Sequence, residues 1–85
     1  MDRNDIAPEW IGNPVIVILR DDRGEPVRRL HRGLLENVRN DGIRFNHPHY
    51  VEATNTFVRT ANVEFYPWSS LWHVEFDPLI NPPPR

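Results

Sequence analysis

One short run, Val15 to Leu19, sets the strongest limit on what this chain can fold into. Every residue in it is apolar and four are β-branched, and the run is too short for a free-standing helix. Successive side chains of a strand point to opposite sides. A strand that is apolar at every position must therefore be covered on both sides, for example by its own barrel on one side and by the N-terminal helix or a neighbour on the other.

The size and composition of the chain exclude several classes of protein. It has 85 residues and no cysteine, so we expect one domain without disulfides or thiolate metal sites. No apolar run approaches the roughly 20 residues that cross a bilayer, and the first ten residues lack the apolar core of a secretory signal. We expect a cytoplasmic protein that does not bind membranes.

Glycine, proline and polar turns divide the rest of the chain into short strands. Gly24 marks a turn, Gly33 a bend within a long strand, and Asn40-Asp41-Gly42 a tight hairpin. A further hairpin tip surrounds Thr54-Asn55-Thr56. A fourth strand runs from about Phe57 and ends at Pro67, because proline cannot donate a hydrogen bond to a ladder. Five short strands predict an all-β fold, a strongly bent antiparallel barrel, since closure removes exposed edges.

Three segments follow from this division. Residues 1–13 form an N-terminal segment with a short helix. Asp5 is its N-cap, Pro8 lies in its first turn, and Gly12 ends it. Residues 14–77 form the five-stranded barrel. Residues 78–85 form a flexible, solvated, proline-rich tail.

The basic side chains indicate a candidate binding surface. All ten Lys-plus-Arg positions are arginine, which contacts phosphate bidentately and stacks on bases, although the net charge is −2. On a strand, Arg28 and Arg32 fall on one face, and Arg29 and His31 fall on the other. The predicted nucleic-acid-binding residues are Arg28, Arg29, Arg32, Arg39 and Arg44. A solvated strand of paired arginines is the open alternative.

The remaining polar clusters favour neither metal binding nor catalysis. His47 and His49 share one face of an extended segment, but no third ligand is identifiable, so we predict no metal and no cofactor. Ser69, Ser70 and His73 lack a nucleophile elbow, and the serines are expected to cap a turn. No phosphate-cradling glycine loop is present. We therefore predict a non-enzymatic protein.

The order of these elements resembles the Sm-like family, including its bacterial Hfq branch. That fold has an N-terminal helix and then five strongly bent strands, with a first motif of spaced apolar and glycine positions. The fourth strand, one-turn helix and fifth strand of the family would match residues 63–76, and the likeness extends from about Asp5 to Asp77. The positions matching the first motif are Val17, Leu19, Asp22, Gly24, Gly33, Leu35, Val38, Ile43 and Phe45.

This chain departs from the family in the loops that hold nucleotide bases. Arg39 stands where Sm-like proteins carry an aspartate, and the hairpin from Gly24 to Gly33 is longer than usual. The second motif is arginine-glycine in Sm proteins and tyrosine-lysine-histidine in Hfq. Here Pro67, Trp68 and Ser69 stand in its place. The resemblance therefore implies the fold, and it does not carry over the family's base-binding residues.

Residues 65–76 contain five of the nine aromatic residues, more than so small a core can hide. In Sm-like rings the fourth strand of one subunit pairs with the fifth strand of the next, so aromatic residues there imply an interface, where such residues are enriched. We expect Phe65, Val74 and Phe76 in the core. The predicted oligomer interface is Tyr66, Trp68 and Trp72. The open alternative is that these rings fill one end of a monomeric barrel.

Two functions remain. The resemblance implies a ring-forming homo-oligomer, and the arginines indicate that it binds single-stranded RNA or another polyanion. The alternative is an oligomerising barrel that acts as a structural or protein-interaction module without nucleic acid, which the missing second motif and the acidic net charge favour.

Overall fold

The fold is all-β, as predicted, and the computed structural model describes residues 1–83. Five strands form one antiparallel sheet in the order β6-β3-β2-β1-β7, and β4 and β5 form a separate hairpin. The strands are β1 (Pro14–Arg20), β2 (Pro26–Val38), β3 (Gly42–Asn46), β4 (His49–Val51), β5 (Thr56–Val58), β6 (Val63–Pro67) and β7 (Leu71–Phe76).

The predicted closed barrel is not formed. Strands β6 and β7 lie at opposite edges of the five-stranded sheet, and no ladder joins them within residues 1–83. Four antiparallel steps separate the two strands, so they run in the same direction. A parallel pair needs a crossover of about a dozen residues or more, whereas only the 3₁₀ turn Trp68–Ser70 connects β6 to β7. The short connection therefore leaves both edges open.

The predicted N-terminal helix is also wrong, because two 3₁₀ turns, Arg3–Asp5 and Pro8–Trp10, replace it. The first turn is capped by the Asp2 side chain, which accepts a hydrogen bond from the Asn4 amide. It cannot extend through Pro8, which has no N–H to donate. Gly12, at a φ of +84°, follows the second turn as the predicted stop.

The predicted fourth strand is broken into β5 and β6 by residues 59–62, and β4 is an additional strand just before the predicted hairpin tip, so five predicted strands become seven. The fully buried Asn46 holds this loop: its Nδ2 donates to the Thr60 carbonyl at 2.7 Å, and its Oδ1 accepts from the Thr60 amide at 3.1 Å. In β6, Tyr66 lies opposite Ile43 on the core side. Phe65 therefore points outward.

The main core covers one side of the sheet, which we call the inner face. Val15 and Val17 lie on it, and Ile16 is buried on the opposite, outer face, so β1 is covered on both sides as predicted. Gly33 lets β3 approach β2 closely, because a Cβ there would collide with the Asn46 carbonyl and the Phe45 ring. The buried residues of this core are Ile6, Val15, Val17, Leu35, Ile43, Phe45, Tyr66, Leu71 and Val74.

A second, smaller cluster lies on the outer face and corrects the prediction of a solvated tail. It contains Leu34, Phe57 and Ile80, and it is covered by the β4–β5 hairpin and the C-terminal segment. The Asn81 amide donates to the Asn55 carbonyl at 2.9 Å, and the Asn55 side chain donates to the Leu79 carbonyl at 2.6 Å. The chain is therefore docked as far as Asn81. The last two residues of the predicted tail, 84–85, lie outside the described residues.

Candidate functional site

The predicted arginines separate into two groups rather than one surface. Arg28, Arg29 and Arg32 are exposed along the first half of β2, whereas Arg39 and Arg44 flank the turn that leads into β3. Arg39 follows Arg32 by seven positions, a path of about 23 Å at about 3.3 Å per strand residue. The first group therefore lies within β2 and the second beyond its end, and the two do not adjoin along the strand.

Within the first group, Arg32 already has an acidic partner. Its Nη1 lies 3.8 Å from Oδ2 of Asp77, a carboxylate that is fully buried. The other oxygen, Oδ1, accepts a hydrogen bond from the Leu79 amide at 3.0 Å, while Oδ2 has no hydrogen-bond partner among the described residues. Since a buried charge is costly unless it is paired, Arg32 is held by Asp77. Arg28 and Arg29 form no ion pair within residues 1–83.

The second group is partly neutralised. Arg39 Nε lies 4.0 Å from Oδ1 of Asp41, and both side chains are exposed. Arg44 lies opposite Phe65 of β6 on the outer face. These two arginines therefore border an aromatic residue and an acidic turn.

The three residues predicted for the oligomer interface have different surroundings. Tyr66 is 8% exposed and packs in the core of its own chain. Trp68 packs against the same core, and its Nε1 donates to the Asn40 carbonyl at 2.9 Å. Trp72 is exposed on β7, with the guanidinium of Arg20 at 5.4 Å from its ring centre. The interface assignment of all three stays a prediction, and Trp72 has the most accessible ring.

The core assignment within the aromatic stretch was right for Val74 and wrong for Phe65 and Phe76. Phe65 is 43% exposed on β6, and Phe76 is also exposed on β7. Phe65, Trp72 and Phe76 therefore all lie on the two strands at the open edges of the sheet. Sequence reasoning missed Phe65 because the alternation of β6 is set by its pairing with β3, which the sequence does not show.

A cluster of polar side chains lies at the end of the inner face, where no sequence pattern had predicted one. His47 Nε2 lies 2.8 Å from Oε1 of Glu64 and 3.4 Å from the Tyr66 hydroxyl. The His31 ring lies 6.5 Å from the Tyr66 ring, centre to centre. Arg29 shares the inner face with His31, two residues away. We call Arg29, His31, His47, Glu64 and Tyr66 the histidine cluster.

Burial shifts the pKa values of two members of this cluster, His31 and Tyr66. Burial and then the positive charge of Arg29 lower the pKa of His31, with a smaller contribution from His47. Burial and then the charge of Glu64 raise the pKa of the Tyr66 hydroxyl. Both side chains are therefore neutral near pH 7. No group of three or more His, Asp or Glu side chains within residues 1–83 is arranged to hold a metal ion.

The serines lie in a turn, as predicted. Ser70 Oγ donates to the Pro67 carbonyl at 2.9 Å within the turn, but no side chain caps the 3₁₀ turn at its N-cap residue Pro67, so the predicted capping by the serines is not seen there. His73 Nε2 lies 3.4 Å from Oε2 of Glu75, on the same strand. Neither contact brings a serine and a histidine together.

A groove on the outer face was not anticipated from the sequence. It encloses about 280 Å³ and is lined by Leu34, Phe57 and Pro83, with Glu36 and Arg59 beside them. Arg59 binds the carboxylate of Glu36 through Nε and through Nη2, the latter at 3.0 Å from Oε2. This hydrogen bond and the charge of Glu36 raise the pKa of Arg59. The ion pair ties the 59–62 loop to β2.

Comparisons with known proteins provide no relative: no family model, no curated protein and no solved structure matches this chain. Among residues 1–83, no helix has the length and apolar character needed to cross a membrane.

Proposed function

We propose that this protein is a non-enzymatic, Sm-like β module of the cytoplasm that assembles into a ring and binds single-stranded RNA or another polyanion through arginines. The observation that carries the proposal is that β6 and β7, the two edge strands of the sheet, each lack a second strand partner within residues 1–83. The one-turn helix between these strands supports the resemblance, which has the same order of fourth strand, turn and fifth strand.

The two edges favour head-to-tail assembly. An open edge presents unpaired N–H and C=O groups to any other strand. Because β6 and β7 differ in sequence, pairing β6 of one copy with β7 of the next is heterologous, and such contacts form rings when the rotation closes. Phe65 on β6 and Trp72 and Phe76 on β7 supply apolar area at this junction.

The assembly is tested with two edge variants, Phe65→Lys on β6 and Trp72→Lys on β7. Each lysine places a charge at one edge and leaves the other edge intact. We expect light scattering to give a ring-sized mass for the wild type and a monomer mass for each variant alone. In an equimolar mixture, the intact β7 of the Phe65→Lys protein can pair with the intact β6 of the Trp72→Lys protein. The mixture should therefore give a dimer.

Leu79→Lys is the matched control, because Leu79 is the most exposed large apolar residue at 62% and lies outside both edges. It should keep the wild-type mass. A monomeric wild type would overturn the assembly. A mixture of the two edge variants that stays monomeric would overturn the head-to-tail arrangement.

RNA binding rests on a separate observation: Arg28 and Arg29 are exposed and have no acidic partner within residues 1–83. Affinity for a single-stranded RNA should fall steeply with salt, because each neutralised phosphate releases counterions. The Arg28→Ala/Arg29→Ala/Arg32→Ala variant should lose binding. Arg3→Ala/Arg23→Ala, which removes exposed arginines elsewhere, should retain it.

The alternative is a structural or protein-interaction module without nucleic acid. The net charge of −2 and the pairing of Arg32 with Asp77 and Arg39 with Asp41 favour it. A pull-down from the host that enriches one protein and no RNA would decide for this alternative.

A further inference from the structure

The histidine cluster brings one arginine and two imidazoles together at one end of the inner face. Side chains two residues apart on a strand lie on the same side, so Arg29 and His31 share one side of β2. His31 lies opposite Val17 of the core. His47 and Glu64 approach from the end of β3 and from β6. The groups that face His31 are thus Arg29, His47, Glu64 and Tyr66.

The one carboxylate in the cluster is already in use. Glu64 lies 2.8 Å from His47, and it forms no ion pair with Arg29. Arg29 is exposed and therefore keeps bonding capacity for an external anion. His31 is half-buried beside it and has a ring nitrogen that becomes a donor on protonation.

The outer face of the same strand is less suited to an anion. Arg32 is held by the buried carboxylate of Asp77, and drawing it away would leave that charge unpaired. On the outer face of β2, Arg28 is then the one arginine that forms no ion pair within residues 1–83. The two faces of β2 therefore differ in what they offer a phosphate.

We propose that Arg29 and His31 form a phosphate-binding site on the inner face of β2 that takes the phosphodiester groups of single-stranded RNA. This inference rests on the proposed RNA binding and assigns it to one face of one strand. Arg29 supplies a fixed, bidentate positive charge, and His31 supplies a second donor when it takes up a proton.

Proton uptake distinguishes this site from a general basic surface. A phosphate between Arg29 and His31 offsets the repulsion between the two positive groups and favours the protonated imidazole. Binding should therefore strengthen as the pH falls from about 7.5 to about 6, a range in which histidine is the side chain that ordinarily titrates. For one proton taken up, the limit is about tenfold in affinity per pH unit.

The test is fluorescence anisotropy with a labelled, single-stranded uridine oligonucleotide at about pH 7.5 and about pH 6, at constant salt. Four full-length proteins are compared: wild type, Arg28→Gln, Arg29→Gln and His31→Gln. We expect Arg29→Gln to bind more weakly at both pH values. His31→Gln should keep wild-type affinity at the higher pH and lose the gain at the lower pH.

Arg28→Gln is the matched control, since it removes the same charge from the other face of β2. It should retain the pH dependence and lose less affinity than Arg29→Gln. Equal losses in the two arginine variants, or a pH dependence that survives His31→Gln, would overturn the assignment while leaving RNA binding intact. If the wild type binds no oligonucleotide at either pH, the proposed RNA binding itself fails.

Inorganic phosphate is the second probe. Added at the same total phosphate concentration as the oligonucleotide, it should not displace the RNA, because a strand of linked phosphates contacts several copies of the site. Displacement under these conditions would overturn the RNA backbone as the ligand. Circular dichroism at both pH values verifies that each variant remains folded.

Discussion

At the scale of single residues, Asn46 joins the sheet to the loop that follows the β4–β5 hairpin. It is fully buried, and both ends of its amide are bonded to the Thr60 backbone. Asn46→Ala removes a donor and an acceptor and leaves the Thr60 N–H and C=O without these partners. We expect a loss of about 2 kcal/mol in the free energy of unfolding, measured by urea denaturation.

The control for this change is Asn62→Ala, at an exposed amide in the same loop. It should alter stability by less than about 0.5 kcal/mol. Equal stability of the two variants would contradict the structural role of Asn46.

A second residue-scale prediction concerns His31 and acid. Burial and the nearby charge of Arg29 lower its pKa in the folded state from 6.5. Below pH 6.5 the unfolded chain therefore binds more protons at His31 than the folded chain does. The contribution of neutral His31 to the free energy of unfolding is fully present above pH 6.5, and it is lost as the pH falls through the lowered pKa of the folded state. Urea denaturation at about pH 7.5 and about pH 5.5 should show a larger acid loss for wild type than for His31→Gln. An identical acid loss in both proteins would contradict it.

At the scale of elements, the C-terminal segment stabilises the outer face. Ile80 is 9% exposed between Leu34 and Phe57, whereas its neighbour Leu79 is 62% exposed. Ile80→Ala should cost about 2 kcal/mol of unfolding free energy through lost burial and a residual cavity. Leu79→Ala should change it by less than about 0.5 kcal/mol. Thermal or urea unfolding of both variants measures the difference, and a solvated tail would make the two equal.

The C-terminal segment also explains why Asp77 is buried. Its carboxylate accepts from the Leu79 amide at the start of the segment and draws Arg32 to the same place. One residue thus links the end of β7, the middle of β2 and the C-terminal segment. This arrangement is also why Arg32 differs from Arg29 as a candidate phosphate ligand.

At the scale of the whole molecule, the open edges make stability depend on concentration. A folded state that associates is stabilised by mass action, and a tenfold rise in concentration is worth up to about 1.4 kcal/mol. For a domain of this size that corresponds to a rise of several degrees in Tm. We expect the Tm of wild type to rise with protein concentration in calorimetry and the Tm of Trp72→Lys to stay constant. A wild-type Tm independent of concentration would contradict assembly of the folded chain.

Local patterns accounted for the parts of the fold that depend on neighbouring residues. The buried β1, the hairpin before β3 and the turn at Asn55 were all predicted, and Asn55 has the left-handed φ of +51°. They follow from side-chain alternation, β-branching and the conformational freedom of glycine and asparagine, which act over a few residues.

The candidate site was predicted in part. The sequence of β2 alone predicts that Arg28 and Arg32 lie on one face of the strand and that Arg29 and His31 lie on the other. That Asp77 would hold Arg32, and that Glu64 would join His47, could not be deduced, because these partners come from distant segments.

The sequence by itself determined that this chain is all-β, where its main turns lie and that β1 is covered on both sides, because these properties depend on short-range pattern and hydrophobicity. Only the tertiary structure decided that the sheet stays open, that Tyr66 rather than Phe65 faces the core and that Ile80 docks on the outer face. The physical reason is that strand register, sheet edges and ion pairs are set by contacts between distant residues. A change of one residue in register moves a side chain from the core to the solvent.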